Sequence, residues 1–411
     1  MNKNNLDKYK DILFSFINRD EVYPAVIRSK GFSFKGFIQI LFKEIINEIK
    51  ESRKKNNDLF FEKIWIYAES TNQYNALEIL NKLPNSIFIS NSNKIVLEKG
   101  IHSLPQKNRL KWRLKRIKYI SDYKLIFRER FKDHYITIFR HDAIYETLLD
   151  TLKYYRPKAI IMSNDHNAYC RALLVSGKDL SIPTIYIQHA AVTNQFPQLK
   201  FDLSLLEGMD SLNKYQECGT IKGKVKLIGM PKFDLYYNSI NNRNKISTFG
   251  FAFNPSDNYN DFYELSRIIH SNYPQCKIIF RYHPSTDLKL IEIPDYVCIS
   301  NAREETSFKF LNKCDVIFAG NSSIHLEATL LNVISLYIDF HSQNINDYYG
   351  FISNNLINIV SVDNILSVLD KYMVNKPYIR NKAKYYVETI NTEWDGRSTD
   401  LVIQTIINYL E

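Results

Sequence analysis

Long hydrophobic runs, paired cysteines and an Asp-x-Asp motif are all missing from this sequence of 411 residues. No run approaches the ~18 apolar residues that suggest a transmembrane helix. The five cysteines stand singly, which favours a reducing compartment and predicts neither a zinc site nor a disulfide framework. The start of the chain lacks an apolar core and a cleavage site, so we expect no signal peptide. Without Asp-x-Asp, a metal that bridges a diphosphate is not favoured, and we predict no metal site.

Positive charge is concentrated in one basic segment, residues 107–132. It has 11 Lys and Arg against two acidic residues and so carries +9 of the chain's net charge of +10. Cations interleaved with aromatic rings are typical of a segment that lies on an anionic membrane. The side chains expected to contact the membrane are Arg109, Lys111, Trp112, Arg113, Lys115, Arg116 and Lys118. A solvated helix face is the alternative, and a nucleic-acid patch ranks last because no DNA- or RNA-binding motif is present.

Short apolar runs alternate with helical patterns in two series, which a polar stretch at residues 238–245 separates. Such alternation is typical of parallel sheets that are buried on both faces. We therefore predict an α/β protein with two doubly wound, Rossmann-like domains that face a central cleft. Their predicted bounds are 1–240 and 246–380, with further helices at 381–411. Ligands bind such folds beyond the carboxyl ends of the strands, which directs attention to loops 163–169, 188–196, 282–285 and 320–323.

The stretch IFAGNSSIHLEA, residues 317–328, predicts a buried strand followed directly by a helix. Asn321, Ser322 and Ser323 stand between the two elements. Such side chains can cap a helix, and the unpaired N–H groups of its first turn can instead hold a phosphate. Glu327 lies one position too late for a capping box with Ser323, and it either contacts a ribose hydroxyl or is solvated.

Four further residues stand at strand ends. His283 can donate to a phosphate oxygen, or it is a surface histidine in a turn. Asp165 can act as a general base, although Asp after Asn is also ordinary in turns. His189 is either a second candidate base or a loop histidine bonded to a carbonyl, and Asn254 is a candidate contact of the nucleotide base or ribose. His325 and Glu327 spell HxE, but no Pro-Cys-x-x-Cys accompanies them, which excludes a zinc deaminase.

The order QHA, HP and GNSSIHLEA, across roughly residues 155–340, resembles bacterial GT-B glycosyltransferases of surface polysaccharide assembly. It is similar to CMP-nonulosonate transferases of the sialic acid and Kdo type, and to CDP-glycerol glycerophosphotransferases. The GNSS stretch also resembles nucleotide-sugar 2-epimerases, which share the GT-B architecture. The resemblance implies that His283, Ser322 and Ser323 contact the donor phosphate. The CDP-glycerol pattern has His-Gly where this chain has His189-Ala190.

What the resemblance implies is a metal-independent glycosyltransferase without a cofactor, located in the cytoplasm at the inner face of the membrane. It would move a nonulosonic acid from a CMP-activated donor onto a lipid-linked or polysaccharide acceptor in capsule or O-antigen synthesis. Asp165 is then the favoured base, with His189 as its rival. The expected partners are a CMP- or CDP-linked donor, a lipid-linked glycan and the inner-membrane surface, and no nucleic acid. The alternatives are a CDP-glycerol-type phosphotransferase, a UDP-sugar 2-epimerase-like enzyme, and a non-catalytic membrane- or nucleic-acid-binding protein.

Overall fold

The computed structural model describes residues 3–18, 58–128, 134–255, 257–287, 292–340, 347 and 349–411, together with residues 38, 42, 45 and 46. Residues 129–132 of the predicted basic segment lie outside the described residues. The chain divides into two compact units. The first unit contains residues 1–206, 211–226 and 403–411, and the second contains residues 207–210 and 227–402.

The first unit contains a seven-stranded sheet with the order β3-β2-β1-β4-β5-β6-β7. Its strands are β1 Ile64–Tyr67, β2 Ser86–Ser90, β3 His102–Ser103, β4 Ala159–Met162, β5 Thr184–Ile187, β6 Leu203–Leu206 and β7 Lys224–Leu227. Its described α-helices are α1 Lys3–Ile12, α2 Phe14–Ile17, α3 Thr71–Leu77, α4 Asn93–Lys99, α5 Arg109–Arg116, α6 Lys124–Phe127, α7 Tyr135–His141, α8 Ile144–Tyr155, α9 Ala168–Asp179 and α10 Met209–Glu217.

The second unit contains a six-stranded sheet with the order β10-β9-β8-β11-β12-β13. Its strands are β8 Thr248–Ala252, β9 Lys277–Arg281, β10 Val297–Ile299, β11 Val316–Ala319, β12 Ile334–Tyr337 and β13 Asn358–Ile359. Its α-helices are α11 Tyr259–Asn272, α12 Ser307–Leu311, α13 Ile324–Leu330 and α14 Ile365–Val374, and α15 Ser398–Leu410 runs from this unit into the first. A 3₁₀ helix covers Pro231–Ser239.

Both sheets are parallel at their centre and buried on both faces. In β11, Val316 and Phe318 belong to one hydrophobic cluster, and Ile317 and Ala319 belong to the cluster on the opposite face. Burial on both faces explains why these strands read as continuous apolar runs rather than alternating ones. The predicted class, α/β with two Rossmann-like domains, matches this architecture.

The strand order of each sheet places two loops side by side. The chain first builds strands outward on one side of β1, and then returns to lay β4 on the other side. Because β1 and β4 are parallel and in register, with Tyr67 beside Met162, the loops that follow them are neighbours. In the second unit, Ala252 of β8 lies beside Ala319 of β11 in the same way. Such a reversal of strand order is where doubly wound folds bind ligands.

The boundary between the units differs from the predicted one at residue 240. Residues 231–239 belong to the second unit, because Tyr236 stacks on Phe308 with 4.5 Å between the ring centroids and Phe233 lies 6.0 Å from the same ring. At the other end of the chain, residues 403–411 return to the first unit instead of forming part of separate C-terminal helices. Within the described ranges, no helix combines the length and the apolar character needed to cross a membrane.

Candidate functional site

The loops after β8 and β11 are joined by side chains that the sequence analysis singled out. The amide of Asn254 donates to the carbonyl of Asn321 at 3.1 Å. Asp257 holds this corner, since its Oδ2 accepts from the backbone N–H of Asn254 at 2.7 Å. A Cβ at Gly320 would lie only 3.0 Å from Asp257 Oδ1, so the close approach requires glycine there. Two predicted residues, Asn254 and Asn321, therefore meet at the reversal of strand order.

The two serines do little capping. Ser322 Oγ accepts from the backbone N–H of Ile324 at a long 3.4 Å, and the side chain of Ser323 makes no capping bond with α13. Ser322 is half-buried and Ser323 is exposed. The hydroxyl of Ser322 therefore caps the helix only weakly, and that of Ser323 does not cap it. Both hydroxyls are available to a ligand.

His325 holds the end of β11 in place, a role that the sequence did not reveal. Its buried ring lies 2.8 Å from the carbonyl of Gly320 through Nε2 and 2.6 Å from Ser335 Oγ through Nδ1. Burial lowers the pKa of His325 to about 4, so the ring is neutral near pH 7. Nε2–H must donate to the carbonyl, and Nδ1 accepts from the hydroxyl. A neutral histidine thus fixes the turn that carries Asn321 and Ser322.

Glu327 is neither solvated nor exposed. It is buried in the first turn of α13 and pairs with Lys232 Nζ at 2.8 Å. The buried Glu207 completes a carboxylate cluster: burial raises its pKa to about 7, the charges of Glu327 and Asp210 add to the rise, and Lys232 opposes it. Burial by itself lowers the pKa of Lys232, but both glutamates raise it above its ordinary value. The second unit therefore holds an ammonium between two carboxyls, one of which is poised to exchange a proton near neutral pH.

His283 is exposed in the turn that follows β9. The backbone N–H of Ser285 donates to its Nδ1 at 3.2 Å, so Nδ1 is unprotonated and Nε2 carries the proton. Burial lowers the pKa of His283, which favours this neutral form. The described bonds of its ring stay within its own loop, to Ser285, and do not reach Ser322 or Ser323. The ring is set up as a neutral donor, as a phosphate contact requires.

In the first unit, protein groups enclose the predicted site residue Asp165. The residue is only 1% exposed, its Oδ2 accepts from the hydroxyl of Tyr215 at 2.6 Å, and its Oδ1 lies 2.8 Å from His166 Nδ1. Burial by itself raises the pKa of a carboxyl, but the bonds from His166 and Tyr215 and the charge of Arg171 lower the pKa of Asp165. The carboxylate stays ionised, and protein groups engage both of its oxygens.

The neighbouring His166 has the geometry of a base that Asp165 orients. Asn164 Oδ1 accepts from the backbone N–H groups of His166 at 3.0 Å and Asn167 at 2.7 Å, which fixes the direction of the amide. Its Nδ2 must then donate to His166 Nε2, 3.3 Å away, so Nε2 is the unprotonated nitrogen. Nδ1–H consequently donates to Asp165. The adjacency of Asp165 and His166 was visible in the sequence, but the exposed fractions, 9% for His166 and 1% for Asp165, were not.

Two other residues of the first unit locate this site. Asn167 donates to Glu69 in the loop after β1 at 3.2 Å, so the loops after β1 and β4 meet as the strand order requires. His189 lies half-exposed in the loop after β5, beside β4 in the sheet. The structure therefore leaves His189 as a separate candidate on the same sheet edge.

The basic segment is corrected in part. Arg113 and Arg116 are buried, so they do not face a membrane. Arg116 forms ion pairs with Asp142 at 3.4 Å and with Glu146 at 3.2 Å, and Trp112 donates to Asp150 at 2.7 Å. An amphipathic helix turns one face inward. Here that face carries Arg116, which pairs with Asp142 and Glu146, and Arg113, which donates to the carbonyl of Phe139. Lys111, Lys115 and Lys118 are exposed and Arg109 is half-exposed.

No protein-family model and no curated protein matches the chain. Among solved structures, the putative UDP-N-acetylglucosamine 2-epimerase from Listeria monocytogenes has a TM-score of 0.54 at 10% identity, covering 85% of this chain and 96% of that one. The UDP-GlcNAc 2-epimerase from Neisseria meningitidis bound to UDP-GlcNAc scores 0.53 at 12% identity, covering 84% and 100%. The calicheamicin glycosyltransferase CalG4 scores 0.54 at 10% identity, covering 85% and 98%. Identities this low show the fold alone, which is GT-B, and the predicted fold class is confirmed.

Proposed function

We propose that the protein is a GT-B glycosyltransferase that uses a nucleotide-activated sugar. The observation that carries the proposal is the corner between β8 and β11, where Asn254 bonds to Asn321, Ser322 makes one long bond to the helix and Ser323 makes no capping bond. The fold is shared with a glycosyltransferase and with epimerases of nucleotide sugars, which supports a donor of this class.

The second unit supplies groups suited to a leaving nucleotide. When the bond between the sugar's anomeric carbon and the phosphate oxygen breaks, negative charge grows on that oxygen. Hydroxyls and a neutral N–H that are already oriented stabilise such charge without reorganisation. Ser322, Ser323 and the Nε2–H of His283 are these groups in our proposal, and Asn254 contacts the nucleoside.

The first unit supplies the base. The acceptor hydroxyl replaces the long 3.3 Å bond from Asn164 Nδ2 at His166 Nε2, which then takes the hydroxyl proton as the acceptor oxygen bonds to the anomeric carbon. The imidazolium that forms is stabilised by Asp165, which remains ionised. Proton transfer of this kind contributes roughly 10²–10⁴-fold to a rate. His189 remains the rival base.

For the donor we retain a CMP-activated nonulosonic acid, on the resemblance of the HP and Ser-Ser motifs, and for the acceptor a lipid-linked or polysaccharide glycan of capsule or O-antigen synthesis. A CDP-glycerol-type phosphotransferase would use the same phosphate contacts. The exposed lysines of α5 and the 3₁₀ helix Ile117–Tyr123 would bring the protein to the inner face of the membrane. A non-catalytic binding protein would be indifferent to changes at His283.

A panel of CMP, CDP, UMP, UDP and GDP tests the donor. A ligand that binds only the folded state raises the melting temperature. We expect the largest rise with CMP or CDP, and its loss in His283→Ala. The matched control is His270→Ala, a half-buried histidine of α11 in the same unit that stacks on Tyr296. A rise with UDP alone would transfer the proposal to a UDP-sugar, and no rise with any nucleotide would refute it.

A UDP-sugar 2-epimerase-like enzyme is the second candidate, and the Glu207–Lys232–Glu327 cluster favours it. Epimerisation next to an anomeric carbon needs a group that removes or returns a proton, and Glu207 has a pKa near 7. Incubation with UDP-GlcNAc in D₂O, without any acceptor, would then produce the 2-epimer with deuterium at C2, detected by NMR. The Glu207→Gln variant should lose this activity. If no deuterium enters at C2, the glycosyltransferase proposal stands alone.

A further inference from the structure

A cavity of about 900 Å³ lies in the first unit between α1, α2 and α6. Pockets that bind small molecules span roughly 300–1,000 Å³, so this one is large enough for a ligand of substantial size. Its described walls come from residues 10–18, residues 125–128 and Lys200. None of these residues has a role in the proposed transfer chemistry.

The walls combine two kinds of surface. Six of the described lining residues are apolar, among them Phe14, Phe16, Leu125 and Phe127. Leu125 is 65% exposed even though its neighbours Ile126 and Phe127 are buried. An apolar side chain held open at the mouth of a cavity, with aromatic rings inside, favours an apolar ligand.

The charges at the same cavity are mostly positive. Lys10, Arg128 and Lys200 line it, against a single described carboxylate, Asp11. That carboxylate is already engaged by Arg171 and by Lys200 Nζ at 3.0 Å. Burial by itself raises the pKa of Asp11, but Arg171 and Lys200 lower it, so the residue stays ionised and its charge is spent on them. Lys10 pairs with Asp7 on its own helix at 3.3 Å, so these described charges leave an excess of one positive charge, which Arg128 carries and which attracts an anion.

We propose that this cavity binds a single-chain anionic amphiphile, with a phosphate or pyrophosphate at the cations and an apolar chain along the phenylalanines and Leu125. If the amphiphile is the lipid end of the acceptor, this part of the inference rests on the proposed function. The binding itself involves no nucleotide.

Calorimetric titration tests the pocket with farnesyl pyrophosphate, farnesol and inorganic pyrophosphate, all below any micelle concentration. We expect farnesyl pyrophosphate to bind with a stoichiometry of one, and each of the other two at least tenfold more weakly, because each offers half of the complementary chemistry. Equal affinity for inorganic pyrophosphate would reduce the site to a patch for anions and overturn the proposal. Equal affinity for farnesol, or no binding of farnesyl pyrophosphate, would also overturn it.

Two pairs of variants locate the binding. Leu125→Asp should weaken it at least tenfold, whereas Leu97→Asp, at a leucine that is 83% exposed on α4, should stay within twofold of the wild type. Lys10→Gln should weaken it about two- to fivefold, and Lys94→Gln should not. These two lysines are matched, because each pairs with an acid on its own helix, at 3.3 Å for Lys10 and 3.7 Å for Lys94. Equal losses within either pair would refute the assignment.

One further variant separates this inference from the proposed function. His283→Ala should bind farnesyl pyrophosphate as the wild type does while it loses the nucleotide. Farnesyl pyrophosphate binding without any nucleotide binding would support the ligand assigned to the cavity and refute the glycosyltransferase proposal. Nucleotide binding without any farnesyl pyrophosphate binding would refute only the assignment of a ligand to the cavity.

Discussion

The sheet edges of the two units occupy equivalent positions but are built in opposite ways. In the first unit, the loop after β4 is buried and bonded throughout: Asn164, Asp165 and His166 satisfy one another, and Tyr215 closes the far side. In the second unit, Ser323 and His283 are exposed, and Ser322 makes one long bond. The bonded loop can hold one proton acceptor in a fixed orientation. The loops that carry Ser322, Ser323 and His283 have few described side-chain hydrogen bonds, and a ligand could supply more.

The largest effect, on the rate of transfer, should come from the proposed base at the sheet edge of the first unit. His166→Ala is expected to lower kcat by roughly 10²–10⁴-fold, because the acceptor hydroxyl loses its proton acceptor. Nucleotide binding, measured by the rise in melting temperature, should be unchanged because the nucleotide contacts are in the other unit. His102→Ala, at an exposed histidine of β3, is the control. Normal turnover in His166→Ala, with a loss in His189→Ala, would assign the base to His189.

The buried carboxyl of the second unit should make stability depend on pH. Burial raises the pKa of Glu207 to about 7 from 4.5, so the folded state holds a proton that the unfolded chain releases. The resulting stabilisation is complete below pH 4.5 and is lost as the pH rises through 7. At ~1.4 kcal/mol per pKa unit, the loss is on the order of 3–4 kcal/mol. Glu207→Gln should flatten the dependence in urea denaturation between pH 4.5 and 7.5, and an unchanged slope would contradict the raised pKa.

The difference in bonding predicts different costs of substitution. Asn164→Ala should lower the free energy of unfolding by roughly 1–3 kcal/mol, since it leaves buried N–H groups and His166 without a partner. Ser322→Ala should lower the free energy of unfolding by less than about 0.5 kcal/mol, because Ser322 is half-exposed and its only described side-chain bond is long. Chemical denaturation of both variants measures this. Equal losses would mean that the two edges are equally rigid.

The smallest predicted effect is on nucleotide binding at the sheet edge of the second unit. His283→Ala should weaken the binding of the preferred nucleotide about tenfold, which corresponds to ~1.4 kcal/mol for one hydrogen bond to a charged phosphate. It should leave the melting temperature of the free protein within error, because the ring bonds only inside its own turn. Titration calorimetry separates the two quantities. A drop in stability without a drop in affinity would make His283 a structural residue.

Much of the fold was predictable from the sequence, for local reasons. Strands such as β4 and β11 read as short apolar runs because both faces of their sheets are buried. The turn at Gly320 followed from its position at a strand end. The boundary at residue 240 could not be predicted, because a polar linker marks where periodicity stops and not which core the preceding helix joins. The packing of Phe233 and Tyr236 on Phe308 decides that, across some seventy residues of sequence.

The candidate site was predictable residue by residue, but not in its roles. Asp165 was predicted because it is a carboxylate at a strand end, and His166 follows it directly in the sequence. Burial is a property of the assembled fold, so only the structure shows that Asp165 is enclosed and bonded to His166. Lys232 and Glu207 carry no local motif, since their partner Glu327 is distant in sequence. In the basic segment, charge composition identified a cationic stretch but could not tell which arginines meet Asp142 and Glu146 inside.

The sequence by itself determined the α/β class and the two doubly wound units, because periodicity and turn residues are local properties of the chain. The tertiary structure decided which polar groups face each other: a histidine oriented by a buried aspartate, an ammonium between two glutamates, a pair of serines left open. These depend on contacts between residues far apart in sequence, where hydrogen-bond partners and burial set protonation and reach.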